Sequence, residues 1–183
     1  VRYEAVIDLP TLSSVYQVPL HLESQGLGKI LMDYFKYDQM SPDFKSWEKI
    51  TIIQQKNNPV VEIALVGKYV ELKDSYLSVV EAINHAAIMH KREAKISWIS
   101  AEDIETSDID SFLSKAQGII IPGGFGDRGL EGMIKTAEYA RTQNIPYLGL
   151  CLGMQIMVIE YARNVLQIND ANSLEIDPET KNP

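Results

Sequence analysis

The spacing of apolar positions changes near residue 60. Upstream, a short strand is expected over residues 3–7. "PTLSSVYQVPLHLESQGLGKILMDYF" then carries helical stretches interrupted by Pro19 and Gly26. "KYDQMSPDFKSW", residues 36–47, is polar, contains Pro42 and reads as a linker. "WEKITIIQQKNNP" predicts one helix that stops before Pro59, because a residue preceding proline is pushed out of the helical region. From residue 60 the pattern is different. "VVEIALV" is rich in β-branched residues and predicts a strand ending at Gly67. "DSYLSVVEAINHAAIMH" repeats apolar residues at helical spacing (Tyr76, Val79, Val80, Ile83, Ala86, Ala87). The remainder predicts a strand in "AKISWIS", a short helix in "SDIDSFLSKA" capped by Ser107 or Asp108, and a strand in "QGIIIP". A helix in "LEGMIKTAEYARTQ", a strand in "PYLGL" and a helix in "GMQIMVIEYARNV" follow.

Strands that alternate with helices, without hairpin turns, imply right-handed βαβ units and an α/β fold with a doubly wound parallel sheet. Residues 1–38 form a helical segment, 39–59 a linker and 60–183 the α/β domain. Such sheets bind ligands beyond the carboxyl ends of their strands. Three loops lie there: "GKYVELKD", "PGGFGDRG" and "GLCLG".

Composition narrows the function. Of 183 residues, 45% are hydrophobic, enough for a packed core. The 17 basic and 25 acidic residues leave a net charge of -8, which opposes binding to a phosphate backbone, so no nucleic acid partner is expected. A small anion at a helix N-terminus remains compatible with that charge. No apolar run reaches the roughly 18 residues of a membrane span, and no signal peptide opens the chain. One cysteine excludes an internal disulfide and fits a reducing, cytoplasmic compartment. The start "VRYEAVIDLP" lacks methionine and the end "DPETKNP" stops in a turn, so a fragment is expected.

The lone thiol sits in "GLCLG". A glycine lies two residues to either side, a strand leads in and a helix leads out. This is the cysteine form of a nucleophile elbow. A sharp turn holds the nucleophile in a strained backbone conformation, and side chains two positions away would collide. The turn lifts the sulfur out of the sheet and aims the Leu152 amide at the same space, one half of an oxyanion hole. The positive end of the new helix favours an anion there. The competing reading is a buried cysteine acting as a small hydrophobe. "IIIPGGFGDRG" is likewise open to two readings. Gly124, Gly126 and Gly129 match a dinucleotide fingerprint, but Pro122 interrupts the strand-to-glycine turn. No acidic residue lies between Glu138 and Glu160, where the ribose partner belongs. The alternative is that the Gly124 amide supplies the second oxyanion donor.

"PYLGLCLGMQ" and "PGGFGDRGLEGMI" resemble the nucleophile and oxyanion segments of the class I glutamine amidotransferases, in the version found in the CTP synthase family. "ALVGKYVELKDSYLSVVEAINHA", "NDANSLEI" and "LSSVYQVPLHLESQGL" are similar to that family too. The resemblance covers nearly the whole chain. Residues 1–38 are similar to the end of the synthetase (amidoligase) domain. Residues 60–183 are similar to the front of the glutaminase domain, a flavodoxin-like architecture. It implies ATP- and Mg²⁺-dependent amination of UTP with ammonia released from glutamine, GTP as an allosteric activator and a homotetramer. Cys151 would be the nucleophile, with Gly124 and Leu152 as oxyanion amides. Gly124, Phe125, Leu152, Gly153, Met154, Gln155 and Glu175 would contact glutamine. Pro10, Thr11 and Leu12 match a stretch near the adenine of ATP. Lys68, Tyr69, Arg128 and Glu131 match the region near the GTP site. No metal ligand matches.

"NSLEI" departs from the family's usual "NSTEF" at Leu174 and Ile176 while keeping Glu175. The histidines, His21, His85 and His90, all precede Cys151, and the helix bearing the last two ends far from the thiol. The resemblance implies a triad His and Glu beyond residue 183, so that this chain alone hydrolyses glutamine poorly or not at all. A non-catalytic interaction or regulatory module that kept the fold is the alternative.

Overall fold

The computed structural model describes residues 2–38 and 40–183. Val1, and Gln39 in the expected linker, lie outside the described residues. Two compact units divide the chain at Pro59, Val1–Pro59 and Val60–Pro183.

In the first unit the short strand expected over residues 3–7 is a 3₁₀ turn, Tyr3–Ala5. Its amides close locally, Ala5 N–H donating to Arg2 O at 3.0 Å and Val6 N–H to Tyr3 O at 3.1 Å. A second 3₁₀ turn, Val15–Gln17, is capped by the Ser14 hydroxyl, which accepts from the Tyr16 amide. It leads into α1 (Val18–Ser24), which has Pro19 in its first turn, where the missing N–H costs nothing. Gly26, at φ 81°, turns the chain into α2 (Leu27–Phe35). The helix expected over "WEKITIIQQKNNP" is α3 (Lys45–Gln54), which begins two residues earlier, inside the stretch read as a linker, and ends at Gln54. It packs on the 3₁₀ turn and α1, and the Tyr16 and Trp47 rings lie 6.3 Å apart.

The second unit is a parallel sheet: β1 (Val60–Gly67), β2 (Glu93–Ser100), β3 (Gly118–Ile121) and β4 (Tyr147–Gly149), in spatial order β2-β1-β3-β4. The connecting helices are α4 (Leu77–Met89), α5 (Ala101–Thr106), α6 (Asp110–Leu113) and α7 (Leu130–Thr142), with α8 (Leu152–Asn164) after β4. Ala64, Val66, Ile119 and Ile121 face a core shared with α5, α7 and α8, including Ile104, Met133 and Ile156. Leu65 points to the opposite face and is also fully buried, so both faces of the sheet are covered. This is the α/β doubly wound fold expected, with the first four strands of the flavodoxin-like order.

Two local expectations fail. Helix α6 begins at Asp110 with Ile109 as its cap, and neither Ser107 nor Asp108 holds that place. Asp108 acts two residues earlier, its carboxylate accepting from the Asp110 amide at 3.3 Å. Helix α5 is an addition. Its six residues are too short for apolar periodicity to register, although Ala101 and Ile104 are both fully buried.

Strand order reverses between β1 and β3. The chain leaves β1 for β2 on one side, then crosses back to β3 on the other. In sheets of this topology the ligand site is expected at that reversal, here at the carboxyl ends of β1 and β3, where the loops 68–73 and 122–129 lie. The β3–β4 pairing, with Ile121 opposite Gly149, brings the corner after β4 to the same edge.

Candidate active site

Backbone sterics determine the corner after β4. Cys151 sits at φ 53°, ψ -106°, a conformation outside the usual regions for a residue with a side chain. Its neighbours have no room for one. A Cβ on Gly149 would lie 2.3 Å from the carbonyl carbon and oxygen of Gly153, and one on Gly153 would lie 2.1 Å from Ile121 O. All are backbone atoms, so nothing can swing aside. Three further bonds hold the turn. Leu150 N–H donates to Ile121 O at 2.9 Å, Gly153 N–H to Leu150 O at 3.0 Å, and the Tyr147 hydroxyl to Gly153 O at 2.7 Å. Burial pushes the Tyr147 phenol well above its ordinary value, with the Glu160 carboxylate adding to the shift, so it stays a donor.

Cys151 is exposed. Its carbonyl accepts from the Met154 and Gln155 amides, closing the first turn of α8. The Leu152 amide has no acceptor among the described residues, as expected of a first-turn N–H, and its side chain is buried beneath the corner.

The glycine loop lies against this corner. A Cβ on Gly123 would be 3.5 Å from that of Cys151, and one on Gly124 would be 3.4 Å from Leu152 Cδ2 and 3.4 Å from Lys68 Cδ. Gly124 is thus held between Leu152 and Lys68, beside the thiol. Gly126 and Gly129 take φ values of 77° and 70°. Eight residues separate the end of β3 from α7, so the tight strand-to-helix turn of a dinucleotide site does not form.

Other residues singled out in the sequence fall as follows. Phe125 is 77% exposed on the loop, and Met154 is 48% exposed one turn from the thiol. Gln155 lines a cleft of about 460 Å³ together with Val158, Asn172, Ser173 and Lys181. Glu175 is exposed in the turn after Ser173, whose hydroxyl accepts from its amide, and does not line that cleft. Ile176, one of the two departures from the family's usual residues, packs against the core. Pro10, Thr11 and Leu12 lie in irregular chain in the first unit.

The charged candidates are engaged. Lys68 is 6% exposed; its ammonium donates to Gly126 O and, at 3.2 Å, to Phe125 O. Arg128 donates to Glu102 at 2.8 Å and to Lys68 O at 3.1 Å, and Glu131 accepts from Arg163 at 2.9 Å. Tyr69 is half-buried, its ring 6.1 Å from that of Tyr76. The burial of Lys68 is invisible in the sequence, where a lysine after a strand reads as surface. His85 and His90 lie at the end of α4, just before β2 begins, and so at the amino edge of the sheet. From that edge β2 runs roughly 25 Å toward the carboxyl ends of the strands, the edge at which the thiol corner lies. His21 bonds Asp8 O in the first unit.

The family model of glutamine amidotransferase class-I matches residues 71–180. The chain belongs to the class I glutamine amidotransferases. Among amidotransferases of this family, it is 51% identical over 183 residues to the CTP synthase of Dehalococcoides mccartyi, covering 100% of this chain and 34% of that protein. It is 52% identical to the CTP synthase of Treponema denticola, covering 98% of this chain and 34% of the relative. The chain therefore spans about a third of the length of the curated relatives it matches. Among solved structures it is similar to the glutaminase domain of the Trypanosoma brucei enzyme with bound acivicin. That match has a TM-score of 0.62 and 41% identity, and covers 67% of this chain and 48% of the other.

Proposed function

We propose that this chain is one stretch of a CTP synthase and carries the thiol at which glutamine is hydrolysed. The observation that carries the reading is the match to CTP synthases at about half identity over the whole chain, the first unit included. A free-standing glutaminase has no use for that unit. In this reading residues 1–38 close the synthetase domain, 39–59 join the domains and 60–183 open the glutaminase domain.

The chemistry follows from the corner. Cys151 Sγ attacks the side-chain amide carbon of glutamine. The oxyanion is received by the amides of Gly124 and Leu152. Ammonia leaves, a γ-glutamyl thioester remains, and water releases glutamate. Phe125, Gly153 and Met154 border the substrate, Gln155 takes one of its backbone groups, and the Glu175 carboxylate answers its α-ammonium. No histidine of this chain is placed as base. Proton transfer is therefore assigned to the part of the relatives' length that this chain does not span, and this chain alone turns over glutamine poorly.

The ammonia would aminate UTP activated by ATP, in a cytoplasmic homotetramer stimulated by GTP. Pro10, Thr11 and Leu12 would meet ATP through backbone atoms. Lys68, Tyr69, Arg128 and Glu131 border the region assigned to GTP. Among the described residues no group of three or more His, Cys, Asp or Glu is arranged to hold a metal ion. No helix among them is long and apolar enough to cross a membrane.

The test is glutamine-dependent CTP formation by the protein expressed from its complete gene, with Cys151→Ala as the paired variant. The reading requires that the variant lose glutamine-dependent CTP formation and keep ammonia-dependent formation. Equal activity from glutamine in both proteins sinks it.

A further inference from the structure

Lys68 is a buried cation with no carboxylate in direct contact among the described residues. Its ammonium is satisfied by two main-chain carbonyls of the glycine loop, Phe125 O and Gly126 O. Its methylene stem lies along Gly124, whose Cβ would stand 3.4 Å from Cδ and 3.6 Å from Cε. The contact is reciprocal, because Arg128, at the far end of the loop, donates to Lys68 O at 3.1 Å. The lysine backbone is itself anchored. The Tyr76 hydroxyl accepts from the amides of Lys68 and Tyr69 at 3.1 and 3.2 Å. Tyr76 is 4% exposed.

We propose that Lys68 is a positioning residue for the oxyanion loop, holding the Gly124 amide in register with the Leu152 amide across Cys151. The geometry is that of a two-sided mould. Leu152 bounds Gly124 on one side and the Lys68 stem bounds it on the other. The ammonium holds the Phe125–Gly126 and Gly126–Asp127 peptide groups, the second and third beyond the one that bears the Gly124 N–H, and so anchors the loop just after Gly124 while the stem bounds Gly124 itself. A glycine-rich loop has the largest backbone entropy to lose, so a preformed hole needs such an outside restraint. Burial lowers the affinity of the lysine for its proton, an expense that a surface lysine avoids.

The inference rests on the reading of Cys151 as an acyl-transfer nucleophile, and its test separates the two. Two reagents are compared on the protein expressed from its complete gene. Iodoacetamide alkylates a thiolate by direct displacement of iodide and needs no oxyanion hole. A chloroketone derived from glutamine first takes the thiolate at its carbonyl. That carbonyl re-forms as sulfur displaces chloride, leaving a thioether. Only the second reaction passes through an oxyanion, so the ratio of the two rates at Cys151 reports the hole.

In Lys68→Met, which keeps the stem and removes the donors, the ratio should fall by about tenfold or more while the iodoacetamide rate holds. Lys68→Gln, which keeps an N–H donor, should lie between Met and wild type. Amide hydrogen exchange should rise over residues 123–127 and not in β1 or β3. An unchanged ratio in Lys68→Met overturns the proposal. So do equal losses with both reagents in both variants, which mean a general structural role. If Lys68→Met does not fold, the same ratio in Lys68→Gln decides. A wild type that shows no preference for the chloroketone over a free thiol refutes the nucleophile reading instead.

Discussion

Replacing Gly149 by alanine adds one methyl group at the tightest point of the elbow. The new Cβ would lie 2.3 Å from the carbonyl carbon and oxygen of Gly153 and 2.6 Å from the Met154 amide. Real Cβ atoms essentially never approach closer than 3.0 Å, so β4 and the start of α8 must separate by about 0.7 Å or more. Neither side yields cheaply. β4 is paired to β3, and α8 is seated through Leu152, Ile156 and Ile159 in the core. Overpacking of this kind costs roughly 1–3 kcal/mol, or a fall in Tm of about 2–12 °C for a domain of this size. The functional cost is larger, because the movement opens the turn that carries the thiol and the amide proposed as its oxyanion donor. A misplacement near 1 Å at a reacting centre costs on the order of 10²-fold. Thermal unfolding and the rate of Cys151 labelling by the glutamine-derived chloroketone measure the two effects. A G149A protein with wild-type Tm and wild-type labelling would refute the steric argument for the elbow.

The strain at Cys151 should be recoverable. Cys151→Gly removes the penalty of φ 53°, ψ -106°, whereas Cys151→Ala retains it, so the glycine variant should be more stable than the alanine variant by about 1 kcal/mol in denaturant unfolding. Tyr147→Phe deletes the bond to Gly153 O and should cost about 1 kcal/mol near neutral pH. The same variant should change the alkaline limb of the stability curve. The Tyr147 phenol is raised above its unfolded value of 10.0 by burial, so its contribution is fully present below about pH 10 and is lost as pH climbs above that. Y147F should therefore show a shallower loss of stability above pH 10 than wild type. An identical slope would mean that the phenol is not buried as described.

The strands of the second unit were legible as short apolar runs rich in β-branched residues, and its long helices as apolar residues at helical spacing. The thiol corner was legible because steric demands on glycine are written directly into "GLCLG". The failures have equally local causes. Residues 3–7 are mostly apolar but pair with no strand among the described residues, and the backbone of Tyr3–Ala5 closes locally in a 3₁₀ turn. Helix α5 is one and a half turns long, below the length at which periodicity carries information. Lys68 was the least legible residue. Its burial depends on two carbonyls 57 and 58 residues away, and no local pattern encodes that contact. The pairing of Arg128 with Glu102, from a helix the sequence did not announce, was hidden for the same reason.

The central claim is that Cys151 is an acyl-transfer nucleophile specific for glutamine. The most direct measurement is the intact mass of the protein, expressed from its complete gene, before and after exposure to a diazoketone analogue of glutamine. The account predicts a single adduct mapped to Cys151, formed faster than on a free thiol, and suppressed by glutamine. A Cys151 that reacts no faster than a free thiol, or that glutamine fails to protect, would contradict it.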